Sequence, residues 1–132
     1  MAIETLLKGR EVRLPEGKRV LDKDGHERHE VRIKWWKESG TFRSLAMGPE
    51  TGIPDDPIGV EHLITYVRDA PPVFVGHYWL TGTPELLASN VACLDYSVAM
   101  PDGKLVAYRW NGEQVLDVRN LVKQYRLEAA PS

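Results

Sequence analysis

The sequence contains little cysteine, no excess charge of one sign and no long apolar run. Its single cysteine, Cys93, among 132 residues excludes an internal disulfide. A net charge of −2 gives no electrostatic reason to expect nucleic acid or an anionic membrane as a partner. No apolar stretch is long enough to span a bilayer, and the N-terminus lacks the basic region and long apolar core of a secretion signal. We therefore expect a cytoplasmic protein with no nucleic-acid partner and no membrane partner.

The composition that remains is typical of soluble globular protein, with 42% apolar and 27% charged residues. A chain of 132 residues can form one domain with a core of its own. We expect a single domain over residues 1–132. Its parts are a lead-in of helix and loop at 1–70, a region rich in strand at 71–126 and a tail at 127–132.

Short apolar runs and alternating patterns predict the strands. Apolar runs predict strands at residues 73–75, 91–94 and 96–99. Residues 31–35 alternate apolar with basic side chains, which favours a half-buried strand. A helix through Trp35 and Trp36 is the alternative.

Helical spacing of apolar side chains predicts a helix over residues 60–67, and two shorter helices are expected at 2–8 and 121–127. The predicted fold class is therefore α+β, with a mostly antiparallel β region and flanking helices.

The strongest local signal is the dipeptide Asn111-Gly112, which lies between residues 105–110 and 113–118. Asn-Gly readily takes the positive φ values of a type I′ turn, and the twist of that turn matches antiparallel strands. We therefore predict that the two flanking segments pair as a β-hairpin.

Three segments of the C-terminal half together resemble a known family. Their sequences are FVGHYW at 74–79, NVACLD at 90–95 and GKLVAYRW at 103–110. Their order, spacing and residue types are similar to the C-terminal end of the calcineurin-like metallophosphoesterases. The resemblance is closest to the symmetrical diadenosine tetraphosphatase branch and to bacterial phosphatases of the serine/threonine type. Residues 1–70 resemble the family more loosely.

The resemblance implies a fold, a metal ligand and a class of substrate. Residues 71–126 would form part of a layered β-sandwich flanked by helices. The Gly76-His77 pair after a strand would supply one ligand, His77, to a divalent metal ion such as Mn, Fe, Zn or Ni. The substrate of the complete enzyme would be a phosphorylated small molecule or protein.

The chain lacks most of the other metal-binding motifs of that family. It contains no Gly-Asp pair and no Asn-His pair, and its one Asp-x-His, Asp24-Gly25-His26, lies in a charged stretch that predicts a turn. A two-metal centre needs several carboxylates and imidazoles to activate a bridging water. We therefore expect a C-terminal fragment of a phosphoester or phosphoanhydride hydrolase, inactive alone and without a tightly bound metal ion. The alternative is a non-catalytic interaction or structural domain derived from that fold.

Other polar and aromatic residues give weaker signals. His26 and His29 would share a face and could bind a metal ion only if residues 24–31 were helical, and a solvated polar segment is the more ordinary interpretation. An exposed turn is likewise the ordinary interpretation of Asp55-Asp56. Trp79, beside the Gly-His pair, is the one tryptophan that could flank a substrate.

The pattern of apolar residues also suggests a partner chain. The runs at 73–75 and 91–94 are apolar on both faces, as in strands buried between two layers. If residues outside this chain supply one of those layers, the uncovered face predicts a homodimer or a complex with a separate chain that carries the N-terminal half. The alternative is a compact monomer in which residues 60–67 and the two adjacent tryptophans cover that face.

Overall fold

A computed structural model describes residues 8–48, 50–63 and 66–127. The chain divides into two compact units, residues 1–66 and residues 67–132. Whether residues 1–132 act as one domain stays a prediction. Most regular structure in both units consists of short strands.

The first unit contains five strands: β1 (Arg10–Arg13), β2 (Val20–Leu21), β3 (Glu27–Arg28), β4 (Glu30–Ile33) and β5 (Ala46–Met47). Strands β1, β4 and β5 form an antiparallel sheet in the order β1–β4–β5, and β2 pairs with β3 as a hairpin. The predicted strand at 31–35 is confirmed in part as β4, which ends at Ile33, and the helix through Trp35 and Trp36 is wrong, because both lie in a turn. The alternation of apolar and polar side chains decided this outcome.

Alternate side chains of β1 and β4 build the core of the first unit. Val12 pairs with Val31 across the two strands, and both are buried together with Ile33. A short helix, α1 (Phe42–Leu45), begins at the capping box of Thr41 and Ser44 and adds Phe42 and Leu45 to this core. The buried cluster consists of Val12, Leu14, Val20, Val31, Ile33, Phe42, Leu45 and Ile58.

The second unit contains six strands: β6 (Val73–Val75), β7 (Leu86–Ala88), β8 (Val91–Cys93), β9 (Asp95–Tyr96), β10 (Lys104–Tyr108) and β11 (Leu121–Tyr125). They form two sheets, in the orders β6–β8–β7 and β11–β10–β9. Strand β6 pairs with β8 in parallel, and the other pairs are antiparallel. The strands predicted at 73–75 and 91–94 are confirmed, with β8 ending at Cys93. Only Tyr96 of the strand predicted at 96–99 lies in a strand.

The predicted α+β class with flanking helices is wrong. From Gly9 onward, the helical segments that the structure describes are α1 and the single 3-10 turns Val60–His62 and Val118–Asn120. Small, mostly antiparallel sheets form the rest of the regular structure, so the described part of the chain shows no helical layer against which a β-sandwich could pack. The predicted helix at 2–8 lies, apart from Lys8, outside the described residues.

Two further helix predictions, at 60–67 and 121–127, are also wrong. At 60–67 the chain makes one 3-10 turn and then extends at Leu63, whose φ of −91° and ψ of 119° leave the helical region. Ile64 and Thr65 lie outside the described residues. Residues 121–127 contain β11, because each residue from Leu121 to Tyr125 pairs with a residue of β10. Tertiary pairing overrides weak helical spacing over so short a segment.

The predicted hairpin across Asn111-Gly112 is also wrong. Strand β10 ends at Tyr108 and pairs with β11, so residues 113–118 are not its partner strand. Gly112 has a φ of +87°, but Asn111 is not among the described residues with positive φ, and a type I′ turn needs both.

The carboxylate of Glu113 organises this connection instead. It accepts hydrogen bonds from the Tyr108 hydroxyl at 2.6 Å, from the Asn111 amide at 2.7 Å and from the Asn120 side chain at 3.3 Å. These bonds join the end of β10 to the turn that precedes β11. The pKa of Glu113 is lowered, mainly because the Tyr108 hydroxyl donates to the charged carboxylate.

No helix in the described ranges is long and apolar enough to cross a membrane.

Gly103 provides a test of the close turn between β9 and β10. A Cβ atom at this position would overlap the carbonyl oxygen of Ser97, which belongs to rigid backbone. We expect Gly103→Ala to lower the free energy of unfolding by about 1–3 kcal/mol, measured by chemical denaturation. Gly76→Ala is the matched control, because a Cβ there meets nothing within 4 Å. Equal stability of the two variants would contradict the turn geometry.

The Glu113 network predicts a pH dependence with a definite sign. Because folding lowers the pKa of Glu113, its stabilisation is present above the unfolded-state pKa of about 4.3 and is lost as the pH falls through the lower folded-state pKa. The melting temperature of wild type should therefore exceed that of Glu113→Gln at neutral pH. The difference between the two melting temperatures should shrink as the pH falls below the unfolded-state pKa of Glu113. Thermal melts from pH 7 to pH 3 measure this difference, with exposed Glu16→Gln as the control. A difference that stays constant with pH would argue against the network.

Candidate functional site at the ends of β6 and β8

The parallel pair β6 and β8 brings two polar residues to one edge of the sheet. Val75 pairs with Cys93, and the amide of Leu94 donates to the Val75 carbonyl at 2.8 Å. The carboxyl ends of the two strands therefore lie side by side. His77 follows β6 and Asp95 follows β8 at the same offset. Ligand sites in sheets often form at this edge, outside the carboxyl ends of parallel strands.

The backbone around this edge is strained. Among described residues other than glycine, three have positive φ: His77 at 79°, Trp79 at 51° and Ser97 at 59°. Such conformations cost free energy, most of all for a bulky residue such as tryptophan, and persist only where the surroundings enforce them. All three lie within the loop after β6 or in the segment next to Asp95.

Asp95 makes hydrogen bonds to two of these three residues. Its carboxylate accepts from the amide of Trp79 through Oδ2 at 3.3 Å and from the amide of Ser97 through Oδ1 at 3.1 Å. Its backbone carbonyl accepts from the amide of Leu80 at 3.0 Å. One residue thus contacts the segment after His77 from both its side chain and its backbone.

Residues 76–85, here called the histidine loop, have further attachments to strands β9 and β10 and the turn between them. The Ser97 hydroxyl donates to the Leu80 carbonyl at 3.0 Å. The amide of Glu85 donates to the Tyr96 hydroxyl at 2.9 Å, and burial raises the pKa of that hydroxyl. The Lys104 ammonium donates to the Gly82 carbonyl.

Lys104 is unusual because it is a buried cation, with 7% of its surface exposed. Besides the carbonyl of Gly82, its ammonium lies 5.4 Å from the centre of the Tyr125 ring. Buried lysines normally pair with a carboxylate, and in the described part of the chain no carboxylate lies within salt-bridge distance of this one. The side chain fastens the histidine loop to the β10–β11 pair.

Asn90 fixes the start of β6. Its side-chain nitrogen donates to the backbone carbonyls of Val67 and Ala70 at 2.8 and 3.1 Å. Its backbone carbonyl accepts from the amide of Val73 at 2.8 Å. The residue is fully buried, and its Oδ1 atom has no partner among the described atoms. The backbone that leads to His77 is therefore held at both ends of β6.

Two ring-bearing side chains of the histidine loop, His77 and Trp79, are accessible to solvent. His77 is exposed, and the indole of Trp79 is 59% exposed beside it. The His77 ring lies edge-on to Tyr78, with ring centres 6.3 Å apart. An exposed imidazole can bind a metal ion through a ring nitrogen. Trp79 is placed where a tryptophan flanking a substrate was predicted, and that role stays a prediction.

Among the described residues, one group brings three potential metal-binding side chains together: Asp22, Asp24 and His26, with ligand atoms within 4.8 Å of one another. Asp22 is already engaged. Its Oδ1 atom accepts from the amides of Asp24 and His26, each at 2.9 Å, and Oδ2 accepts from Arg28. The hydrogen bond from the His26 amide is the main reason that the pKa of Asp22 is lowered. The predicted turn at Asp24-Gly25-His26 is confirmed as the connection of the β2–β3 hairpin.

The remaining sequence candidates have structural explanations. His26 and His29 are exposed and do not lie on a helix, so they do not share a helical face. Asp55 accepts a hydrogen bond from the Thr41 hydroxyl at 2.7 Å and faces Arg43 at 3.6 Å. Cys93 is a buried free thiol, as the sequence suggested, and burial raises its pKa, which disfavours the thiolate that a metal site would need.

Comparison of the chain with protein families, with curated proteins and with solved structures found no match.

Sequence reasoning named His77 as a candidate, a role that stays a prediction, but did not name the residues that contact its loop. Asp95 and Lys104 carry no motif that would have marked them. The usable signal was the pair of apolar runs before His77 and Asp95, because parallel pairing of such runs places the residues after them together. That pairing becomes evident only from the structure.

Proposed function

We propose that this chain is the C-terminal part of a metal-dependent phosphoesterase and that His77 is one ligand of its divalent metal ion. The single observation that carries the proposal is the backbone of His77. An exposed imidazole is held at a φ of 79° where the carboxyl ends of two parallel strands meet. Backbone strain of this kind is characteristic of sites where a side chain must be aimed.

The surrounding contacts support a ligand role over that of an ordinary loop histidine. The loop after His77 is attached by Asp95, Ser97 and Lys104, so its backbone is restrained where an ordinary surface loop is more mobile. The resemblance of residues 74–79 to the Gly-His segment of the metallophosphoesterases suggests what His77 would bind, a divalent metal ion.

The chemistry of such an enzyme limits what this chain contributes. Divalent ions in phosphoesterases lower the pKa of a bound water and stabilise the attacking and leaving oxygens. One imidazole holds a divalent ion weakly. This chain therefore contributes His77 and the rigid loop that aims it, and the remaining ligands belong to another polypeptide segment. The exposed Trp79 is available to contact a phosphorylated substrate beside the ligand.

Weak metal binding at His77 is directly measurable. We expect Mn²⁺, titrated into isotope-labelled protein, to broaden the amide signals of Gly76, His77 and Asp95 before those of the two units at large. Paramagnetic broadening depends on proximity, so it locates even a weakly bound ion. In His77→Gly the effect should disappear, because glycine accepts a φ of 79° without a ring to bind the ion.

The matched control is His26→Ala, which removes an exposed histidine from the Asp22–His26 group and should leave the broadening at His77 unchanged. The same samples should not hydrolyse a generic phosphomonoester or a dinucleoside polyphosphate, because one imidazole cannot hold the two-metal centre that activates the water in such enzymes. Broadening confined to the β2–β3 hairpin would contradict the proposed ligand. Metal-dependent hydrolysis by wild type that is lost in His77→Gly would show that this chain is catalytically active alone, against the proposal that other segments supply the remaining ligands.

A second candidate function, a non-catalytic interaction domain, is favoured by exposed aromatic side chains. Phe74 on β6 contacts Tyr108 and Trp110, with ring centres 5.2 and 6.5 Å away, and Phe74 and Trp110 are 37% and 53% exposed. In the described sheets β6 is an edge strand, paired with β8 alone. An exposed edge beside apolar side chains is a surface that partner chains use. A homodimer, or a complex with a chain carrying the remaining ligands, would cover it.

Sedimentation equilibrium over a wide concentration range tests this assembly. We expect a mass that rises with concentration in wild type and less steeply in Phe74→Ser, because the substitution removes apolar area from the edge. Leu127→Ser is a matched control, since that residue is 88% exposed and lies beyond β11. A monomer at every concentration would refute self-association and would favour either the compact monomer or a complex with a separate chain.

A further inference from the structure

We infer that Asp95 is the positioning residue of this site: its carboxylate sets the backbone conformation that aims His77. The inference rests on the proposed function of His77 as a metal ligand and deepens it. Asp95 would act through the histidine loop and not as a ligand of its own.

The first step of the argument is where the hydrogen bonds of Asp95 go. Its two carboxylate oxygens accept from the amides of Trp79 and Ser97, at 3.3 and 3.1 Å. Both of these residues have positive φ, 51° and 59°. The carboxylate thus binds the two strained residues other than His77, the proposed ligand.

The second step concerns what those bonds do to His77. Trp79 is only two residues after His77, and the amide of the next residue, Leu80, donates to the Asp95 carbonyl at 3.0 Å. With β6 fixed before it and these two amides fixed after it, the intervening chain has little freedom. The φ of 79° at His77 is the conformation that joins the two fixed ends. Strained conformations persist only when their surroundings over-determine them.

The third step is why the residue is a carboxylate. An ionised carboxylate is an acceptor at both oxygens and can bind two amide donors at once. A side-chain amide offers one accepting oxygen and one donating nitrogen, so it satisfies one of the two backbone amides and opposes the other. The geometry therefore distinguishes Asp95 from asparagine, although the two have nearly the same volume.

The experiment compares Asp95→Ala and Asp95→Asn with wild type by NMR in the full chain. Residues with positive φ give a strong intraresidue NOE between the amide proton and Hα, which reports the backbone directly and requires no metal. We expect this signal at His77 and Trp79 in wild type. It should be lost in Asp95→Ala and reduced in Asp95→Asn, which keeps one acceptor. Mn²⁺ affinity at His77 should fall by roughly tenfold in Asp95→Ala and by less in Asp95→Asn.

Asp102→Ala is the matched control, because it removes an exposed carboxylate from the turn between β9 and β10 without touching the histidine loop. Unchanged amide signals of β8 and β10 show that the second unit stays folded. If Asp95→Ala does not fold, the nearly isosteric Asp95→Asn carries the test.

The two arms separate this inference from the function on which it rests. If Mn²⁺ does not bind near His77 in wild type but the NOE depends on Asp95, the metal role fails and the positioning role stands. If the NOE at His77 and Trp79 persists in both variants, the positioning role is overturned. Loss of Mn²⁺ affinity with the NOE intact would make Asp95 a ligand and would overturn it as well.

Discussion

Parallel pairing of β6 with β8 is the constraint on which the candidate site depends. All three residues of β8 are completely buried, so this strand cannot shift without opening the centre of the second unit. A parallel pair also needs a connection that returns to the starting end of the sheet. Here residues 76–90 make that return, with the histidine loop leaving one end and β7 re-entering the sheet beside β8. The loop is therefore part of the fold itself.

The attachments of that loop differ in physical kind. Asp95 uses a carboxylate against backbone amides, Tyr96 a buried hydroxyl, and Lys104 a buried ammonium against a carbonyl. Hydrogen bonds to charged groups are stronger than neutral ones, and buried ones are weakened less by solvent. Strands β9 and β10 supply all three residues. The sheet β11–β10–β9 therefore holds the histidine loop, which leaves the sheet β6–β8–β7 after β6. The positive φ values are the measurable cost of this arrangement.

The sequence predicted those parts of the fold that depend on short, uninterrupted patterns. The apolar runs at 73–75 and 91–94 form β6 and β8, the alternation at 31–35 forms β4 as far as Ile33, and the Asp-Gly turn connects β2 and β3. The helix predicted at 121–127 and the hairpin predicted across Asn111-Gly112 failed together, because residues 121–125 and not 113–118 pair with β10. The three hydrogen bonds of the Glu113 carboxylate join the end of β10 to the turn before β11. The position of His77 after a strand was predictable, whereas the hydrogen bonds around its loop join residues that are distant in sequence.

The distribution of the four tryptophans gives the chain an internal optical reporter. Trp35 and Trp36 are buried in the first unit, 3% and 8% exposed, with ring centres 5.4 Å apart at an interplanar angle of 87°. Trp79 and Trp110 in the second unit are 59% and 53% exposed. Indoles shielded from water emit at shorter wavelength than hydrated ones. The short-wavelength part of the tryptophan emission should therefore come from the first unit and the long-wavelength part from the second. Collisional quenchers such as iodide would reach the second pair first, and the emission of Trp79 would respond to anything that binds beside His77.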